Sequence, residues 1–138
     1  MIRDISTLQQ LDDFAKEFST TLKAGDIVYL NGDLGSGKTS FVQMVLKHLG
    51  YVGRVKSPTY AIYEEYQVHK QTIVHLDLYR LSDAQELYYL GIEEIITNKT
   101  IAFIEWPAKG AGVLLPASKT LAFQLLDSIK RELVLDIT

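Results

Sequence analysis

Cysteine is absent from this chain of 138 residues, which excludes both a disulfide framework and a zinc–thiolate site. The absence also fits a reducing compartment. No stretch approaches the roughly 18 consecutive apolar residues that a membrane span requires. The start, MIRDISTLQQL, lacks the basic head and apolar stretch of a signal peptide. We therefore expect a cytoplasmic protein with no membrane association.

Arginine is scarce and positive charge is not concentrated anywhere. The four arginines are scattered along the chain, and the formal net charge is −3. A protein that binds an RNA backbone unaided usually gathers lysine and arginine in one basic stripe. We therefore expect any nucleic-acid role to be indirect and shared with a partner protein.

The length predicts one domain over residues 1–138, and the spacing of apolar residues predicts an α/β protein. Ser6 and Gln9 resemble a capping box at the start of the first helix. The polar VHKQ predicts a hairpin between the second and third strands. We predict helices over about 7–22, 38–49 and 83–92, and strands over 26–30, 59–67, 72–81, 100–106, 119–126 and 131–138. Together these predict three layers and a mixed sheet.

The stretch NGDLGSGKTSF, residues 31–41, contains Gly32, four further residues, and then Gly37, Lys38 and Thr39. This is the Walker A pattern, and it has the strand before it and the helix after it that the motif requires. Glycines let successive backbone N–H groups face a phosphate, and the helix N-terminus adds further donors. We therefore expect ATP here, with Lys38 on the β- and γ-phosphates and Thr39 on Mg²⁺. The expected nucleotide-binding residues of the loop are Asp33, Leu34, Gly35, Ser36, Gly37, Lys38, Thr39 and Ser40.

Such a site also needs a carboxylate for the metal, usually at the end of an apolar strand. The run IVHLD ends at Asp77 and the run IAFIE ends at Glu105. The first run alternates, with Ile73, His75 and Asp77 on one face, which predicts a half-exposed hairpin strand. The second run is apolar on both faces, as in a central strand beside the Walker A strand. We therefore predict that Glu105 binds Mg²⁺, directly or through a water, and that Asp77 orients the attacking water or contacts a ligand of the metal.

Two other functions are compatible with a nucleotide-binding loop. A small-metabolite kinase would use several arginines on a mobile lid, and no arginine pair occurs in a plausible lid here. A nucleotide-sensing interaction module, in which hydrolysis is incidental, is the second alternative.

Five segments occur in one order: GDLGSGKTSF, VKSPTYAIYEEY, HLDLYRL, ELYYLGIEEI and IEWPAKGAGVLLP. In order and spacing they resemble the TsaE family (also called YjeE), small bacterial P-loop ATPases of tRNA threonylcarbamoyladenosine synthesis. The resemblance covers about residues 26–116, and KSPTY, DLYRL and IEW are more specific than the Walker A motif. It implies a P-loop NTPase-like fold, with a mixed, mostly parallel sheet plus an antiparallel hairpin, and an ATPase that is slow when isolated.

The resemblance also implies partners and residue roles. It implies that the protein assists TsaD, paired with TsaB, in placing a threonylcarbamoyl group on the adenosine beside the anticodon, and that it meets tRNA only through that complex. By position, Lys38 and Thr39 match the phosphate and Mg²⁺ residues, Glu105 matches the second Mg²⁺ residue, and Asp77 matches an aspartate implicated in hydrolysis. KSPTY, residues 56–60, matches a loop that responds to the γ-phosphate.

Fewer residues of this chain match the positions at which the family contacts the adenine base. The family often carries Ser-x-x-x-Thr near its N-terminus, and Gln10 stands here where the threonine would fall. Thr7 and Arg131 are the expected contacts on this side by resemblance. Trp106 either lies beside the metal carboxylate or packs in the core. The three histidines show no metal-binding spacing, and we interpret none of them as a ligand.

Overall fold

A seven-stranded sheet runs through the computed structural model, which describes residues 1–58 and 62–137. The elements in chain order are β1 Ile2–Asp4, α1 Leu8–Ser19, β2 Ile27–Asn31, α2 Lys38–His48, β3 Tyr63–Val68, β4 Gln71–Asp77, α3 Glu86–Leu90, α4 Ile92–Ile95, β5 Thr100–Glu105, a 3₁₀ helix Pro107–Gly110, β6 Lys119–Leu125 and β7 Arg131–Ile137. Among the described residues, no helix has the length and apolar character needed to cross a membrane.

The strand order is β1-β7-β6-β2-β5-β4-β3. The four middle strands, β6, β2, β5 and β4, are parallel to one another, whereas β7 and β3 pair with them in antiparallel fashion and β1 pairs antiparallel with β7. The predicted α/β fold with a mixed sheet and a β3–β4 hairpin is therefore confirmed. Because the middle strands run in one direction, the carboxyl ends of β2, β4 and β5 meet at one edge, where ligands bind in open α/β sheets.

Helices cover both faces of the sheet and make the three layers. On one face, α1 and α2 pack on β2 and β5 around a cluster of buried aromatic rings. On the other face, α3 and α4 pack through Leu87 and Ile92 on the opposite side chains of the same strands. This alternation follows from the two-residue period of a strand, which gives each face its own apolar row.

The prediction of a half-exposed strand over 72–81 is wrong. β4 is buried on both faces, and Ile73, Val74, His75 and Leu76 are each no more than 1% exposed. The hairpin partner β3 takes the sheet edge, so β4 lies between β3 and β5 under helices on both sides. The pattern was misleading because His75, counted as polar, lies inside the protein.

Three further details differ from the sequence prediction. The capping box of α1 is formed by Thr7 and Gln10 instead of Ser6 and Gln9, because the Ser6 hydroxyl donates to Asp4 Oδ1. The helix predicted over 83–92 is split into α3 and α4 at Gly91, whose φ of +82° ends the first helix. The strand predicted over 59–67 is observed from Tyr63, and residues 59–61 lie outside the described residues.

Phe41 on α2 is the centre of the aromatic cluster. It is fully buried, and its ring centroid lies 5.7 Å from Phe14, 5.4 Å from Phe18 and 5.7 Å from Phe123. We expect Phe41→Ala to lower the free energy of unfolding by about 3–5 kcal/mol, because it leaves a cavity that these rings cannot close. Urea denaturation followed by circular dichroism measures this change. The control Tyr89→Ala, at a side chain 92% exposed, should change stability by less than about 0.5 kcal/mol, and equal losses in both variants would contradict the assignment.

Candidate functional site

The Walker A loop connects the carboxyl end of β2 to the start of α2. A Cβ atom on Gly32 would lie 2.7 Å from the Ser36 hydroxyl oxygen and 2.8 Å from the carbonyl oxygen of Phe123, so no side chain fits there. Gly37 adopts a φ of +108° and precedes α2 without a side chain that could cap its first N–H groups. The loop therefore presents backbone donors and the positive end of an eleven-residue helix, an arrangement suited to an anion.

Lys38, the first residue of α2, points back under this loop. It is only 4% exposed, its Nζ donates to the carbonyl oxygen of Gly32, and Nζ lies 4.1 Å from the centroid of the Trp106 ring. Burial lowers the pKa of Lys38 below its ordinary value, and the charges of Glu105 and Asp77 oppose that effect. The buried ammonium has three N–H donors, one of which goes to Gly32, so it can donate a further hydrogen bond to a phosphate oxygen.

Two carboxylates lie beside the loop because β4 and β5 are parallel neighbours in which Asp77 stands opposite Glu105. Thr39 Oγ1 donates to Glu105 Oε2 at 2.9 Å, and Glu105 is 3% exposed. Burial raises the pKa of Asp77, the N–H of Tyr79 lowers it by donating to Oδ1, and the charge of Glu105 raises it further. The hydroxyl and the two carboxylates form a set of oxygen atoms of the kind that Mg²⁺ prefers.

His75 belongs to this cluster, although the sequence prediction gave it no role. Its Nε2 lies 2.6 Å from Glu105 Oε2, and the ring is fully buried. Its place two residues before Asp77, on the same face of β4, was the available signal, since residues at i and i+2 of a strand share a face. Within the described residues, no group of three or more histidine, cysteine, aspartate or glutamate side chains is arranged to hold a metal.

A cavity of about 350 Å³ opens over these residues. Its walls are formed by loop residues 34–40, by Asp77 and Glu105 at the strand ends, and by Trp106, Arg80 and Arg131. Of the predicted site residues, the structure therefore brings Leu34, Gly35, Ser36, Gly37, Lys38, Thr39, Ser40, Asp77, Glu105 and Arg131 to one cavity. Trp106 follows Glu105 at this cavity, lies with its ring over the lysine, and is partly buried against the apolar cluster on the α3–α4 face.

Two predicted nucleotide-binding residues lie apart from the cavity. Asp33 lines a neighbouring depression next to Phe123 and Leu126. Thr7 caps α1, where its hydroxyl accepts from the N–H of Gln10 at 3.1 Å. In the KSPTY segment, Ser57 and Pro58 are described but are not part of the cavity wall, and Thr59 and Tyr60 lie outside the described residues.

The residues at the cavity fit a nucleotide with its metal. The Ser36 hydroxyl is buried, and none of the described residues provides it with a hydrogen-bond partner. Such a group is costly unless a ligand or water satisfies it, and Ser36 lies in the cavity wall between the glycines. With the lysine, the helix N-terminus and the cluster of oxygen atoms, it matches the needs of a phosphate chain and a hard divalent cation.

The family model described as "Threonylcarbamoyl adenosine biosynthesis protein TsaE" matches residues 5–133. This chain belongs to the TsaE family. It is 44% identical over 106 residues to the tRNA threonylcarbamoyladenosine biosynthesis protein TsaE of Haemophilus influenzae, covering 73% of this chain and 67% of that protein. It is 38% identical over 128 residues to the protein of the same name from Rickettsia prowazekii, covering 92% of this chain and 88% of that protein.

A solved structure supports the fold independently. The crystal structure of Bacillus subtilis YdiB superposes with a TM-score of 0.82 at 23% sequence identity, covering 100% of this chain and 86% of that chain. At this identity the likeness concerns the fold alone. The family match confirms the resemblance drawn from the five sequence segments, and the TsaE family takes part in tRNA threonylcarbamoyladenosine biosynthesis.

Proposed function

We propose that this protein is a Mg²⁺-dependent ATPase that assists TsaB and TsaD in forming N6-threonylcarbamoyladenosine next to the anticodon of tRNAs. The observation that supports it best is the convergence of Lys38, Thr39, Asp77 and Glu105 on one cavity beside a Walker A loop. Family membership supports the pathway, and the loop supports the nucleotide.

Each group at the cavity has a distinct task in this proposal. The loop N–H groups and the N-terminus of α2 bind the phosphate chain, and the Lys38 ammonium binds oxygens of the β- and γ-phosphates. Thr39 and Glu105 hold Mg²⁺, which when bound neutralises charge that develops on the phosphate oxygens. Asp77 accepts a hydrogen bond from the attacking water and orients it.

The base of the nucleotide lies on the Arg131 side of the cavity in this proposal. β7 begins at Arg131, and the Arg131 N–H donates to the Ser6 hydroxyl at 3.0 Å, which ties this wall to the N-terminal segment. Thr7, which caps α1, is at most an indirect support of this wall. The acidic balance of the chain fits a protein that reaches tRNA only through TsaD and TsaB.

Reconstitution with purified TsaB, TsaD, the enzyme that forms threonylcarbamoyl-adenylate, tRNA and ATP tests the proposal. We expect slow phosphate release by the protein alone, faster release in the complex, and more modified nucleoside per TsaD molecule when the protein is present. Absence of ATP hydrolysis in both settings would contradict the proposal. A phosphorylated small molecule as product would favour a kinase, and full tRNA modification by a variant that binds ATP but cannot hydrolyse it would favour a sensing module.

A further inference from the structure

His75 combines complete burial with incomplete hydrogen bonding. It lies in the middle of β4, it is 0% exposed, and its strand neighbours Val74 and Leu76 are apolar core residues. Its Nδ1 has no hydrogen-bond partner among the described residues. A buried polar atom without a partner is unfavourable, whereas leucine would pack at such a position without that penalty. The imidazole is therefore poorly explained by packing alone.

The contact that distinguishes His75 from an apolar residue is the one with Glu105. Nε2 lies 2.6 Å from Glu105 Oε2, and an ionised Glu105 can only accept, which assigns the hydrogen to Nε2. The same oxygen accepts from Thr39 Oγ1 at 2.9 Å. Two donors, one from a strand and one from a helix, thus hold a long side chain that would otherwise sample several rotamers.

The sheet register explains why His75 can do this without reaching the cavity. Asp77 stands opposite Glu105 and His75 stands opposite Phe103, so His75 is the diagonal neighbour of Glu105 on the same face of two parallel strands. His75 is absent from the cavity wall. His75 can therefore affect a bound ligand only by way of its contact with Glu105.

We propose that His75 is a positioning residue whose Nε2–H orients the Glu105 carboxylate so that Glu105 and Thr39 bind the same divalent cation. This inference rests on the proposed function, since it assigns His75 to the metal side of that site. Partners that orient a ligating carboxylate typically change metal affinity about 10- to 100-fold when removed.

Three substitutions separate positioning from packing. His75→Leu fills the site without a donor. His75→Gln places an amide nitrogen near the position of Nε2, and His75→Asn places one near Nδ1, too far from Glu105 to donate. The full chain is loaded with a saturating non-hydrolysable ATP analogue and titrated with Mn²⁺, and free Mn²⁺ is measured by electron paramagnetic resonance. Analogue affinity is measured separately in EDTA.

We expect His75→Leu to bind Mn²⁺ about 10- to 100-fold more weakly than the unaltered protein, while analogue affinity in EDTA is unchanged and His75→Gln stays close to the unaltered protein. Unchanged Mn²⁺ affinity in His75→Leu, or equal losses of analogue and Mn²⁺ affinity, would overturn the inference.

If His75→Leu fails to fold, the comparison of His75→Gln with His75→Asn decides: weaker Mn²⁺ binding by the asparagine variant alone supports positioning, and equal binding overturns it. If the unaltered protein binds the analogue but no Mn²⁺, the proposed metal site itself is wrong.

Discussion

Replacing Lys38 with alanine should abolish ATP hydrolysis while the protein remains folded. The ammonium lies under the glycine loop, bonded to the carbonyl of Gly32, at the position where it can bind oxygens of a transferring phosphate. Loss of one such preorganised group typically lowers turnover about 100- to 1,000-fold, which would reduce the proposed slow ATPase activity to background. Phosphate release under saturating ATP and Mg²⁺ measures the effect.

The fold should survive this change because the charge on Lys38 is not a source of stability. Burial lowers the pKa of Lys38, which means that the folded state disfavours the charged form relative to the unfolded chain. We therefore expect Lys38→Ala to remain folded, with a melting temperature close to that of the unaltered protein. Lys47→Ala, at an exposed lysine in the last turn of the same helix, is the matched control and should hydrolyse ATP normally. Normal turnover in Lys38→Ala would remove the main support for the nucleotide site.

Glu105→Gln should weaken Mg²⁺-dependent hydrolysis far more than it weakens nucleotide binding measured without metal. Glutamine keeps the shape of the side chain and an oxygen that can accept from Thr39 and His75, so the fold and the phosphate loop remain. It removes the negative charge that a hard divalent cation requires. We expect the Mg²⁺ concentration for half-maximal hydrolysis to rise about 10- to 100-fold.

A nucleotide-binding titration in EDTA beside a Mg²⁺ titration of phosphate release tests this ordering. The control Glu94→Gln, at an exposed glutamate on α4, should leave both measurements unchanged. A loss of metal-free nucleotide binding with a normal Mg²⁺ response would show that Glu105 acts on the nucleotide and not on the metal.

The parts of the site that are local in sequence could be predicted from it. Gly32, Gly37, Lys38 and Thr39 lie within eight positions, and their spacing with the flanking strand and helix predicts the loop without knowledge of the rest of the fold. Glu105 could be placed because its strand is apolar on both faces, a pattern typical of a central parallel strand. The observed pairing of β5 with β2 confirms that strand position.

The parts that depend on tertiary neighbours could not be predicted. The contact of His75 with Glu105 joins residues 30 positions apart, and that of Thr39 with Glu105 spans 66 positions. Periodicity reports which face a side chain shares with its neighbours but not whether another layer covers that face, so β4 was wrongly expected to be half exposed. The cap of α1 moved by one residue because Ser6 bonds to Asp4 and to the backbone of Arg131 instead.

Because no side chain fits beside Gly32, the Walker A loop lies in direct contact with the interior of the protein. The carbonyl of Phe123 lies against the loop at Gly32, and the ring of the same residue packs edge-on against Phe41 among the buried aromatic side chains. The Walker A loop therefore rests directly on the buried aromatic cluster around Phe41. A core substitution that shifts β6 by even a small distance would deform this loop. We therefore expect such a substitution to lower the affinity of the proposed site for a nucleotide at temperatures where the protein is still folded.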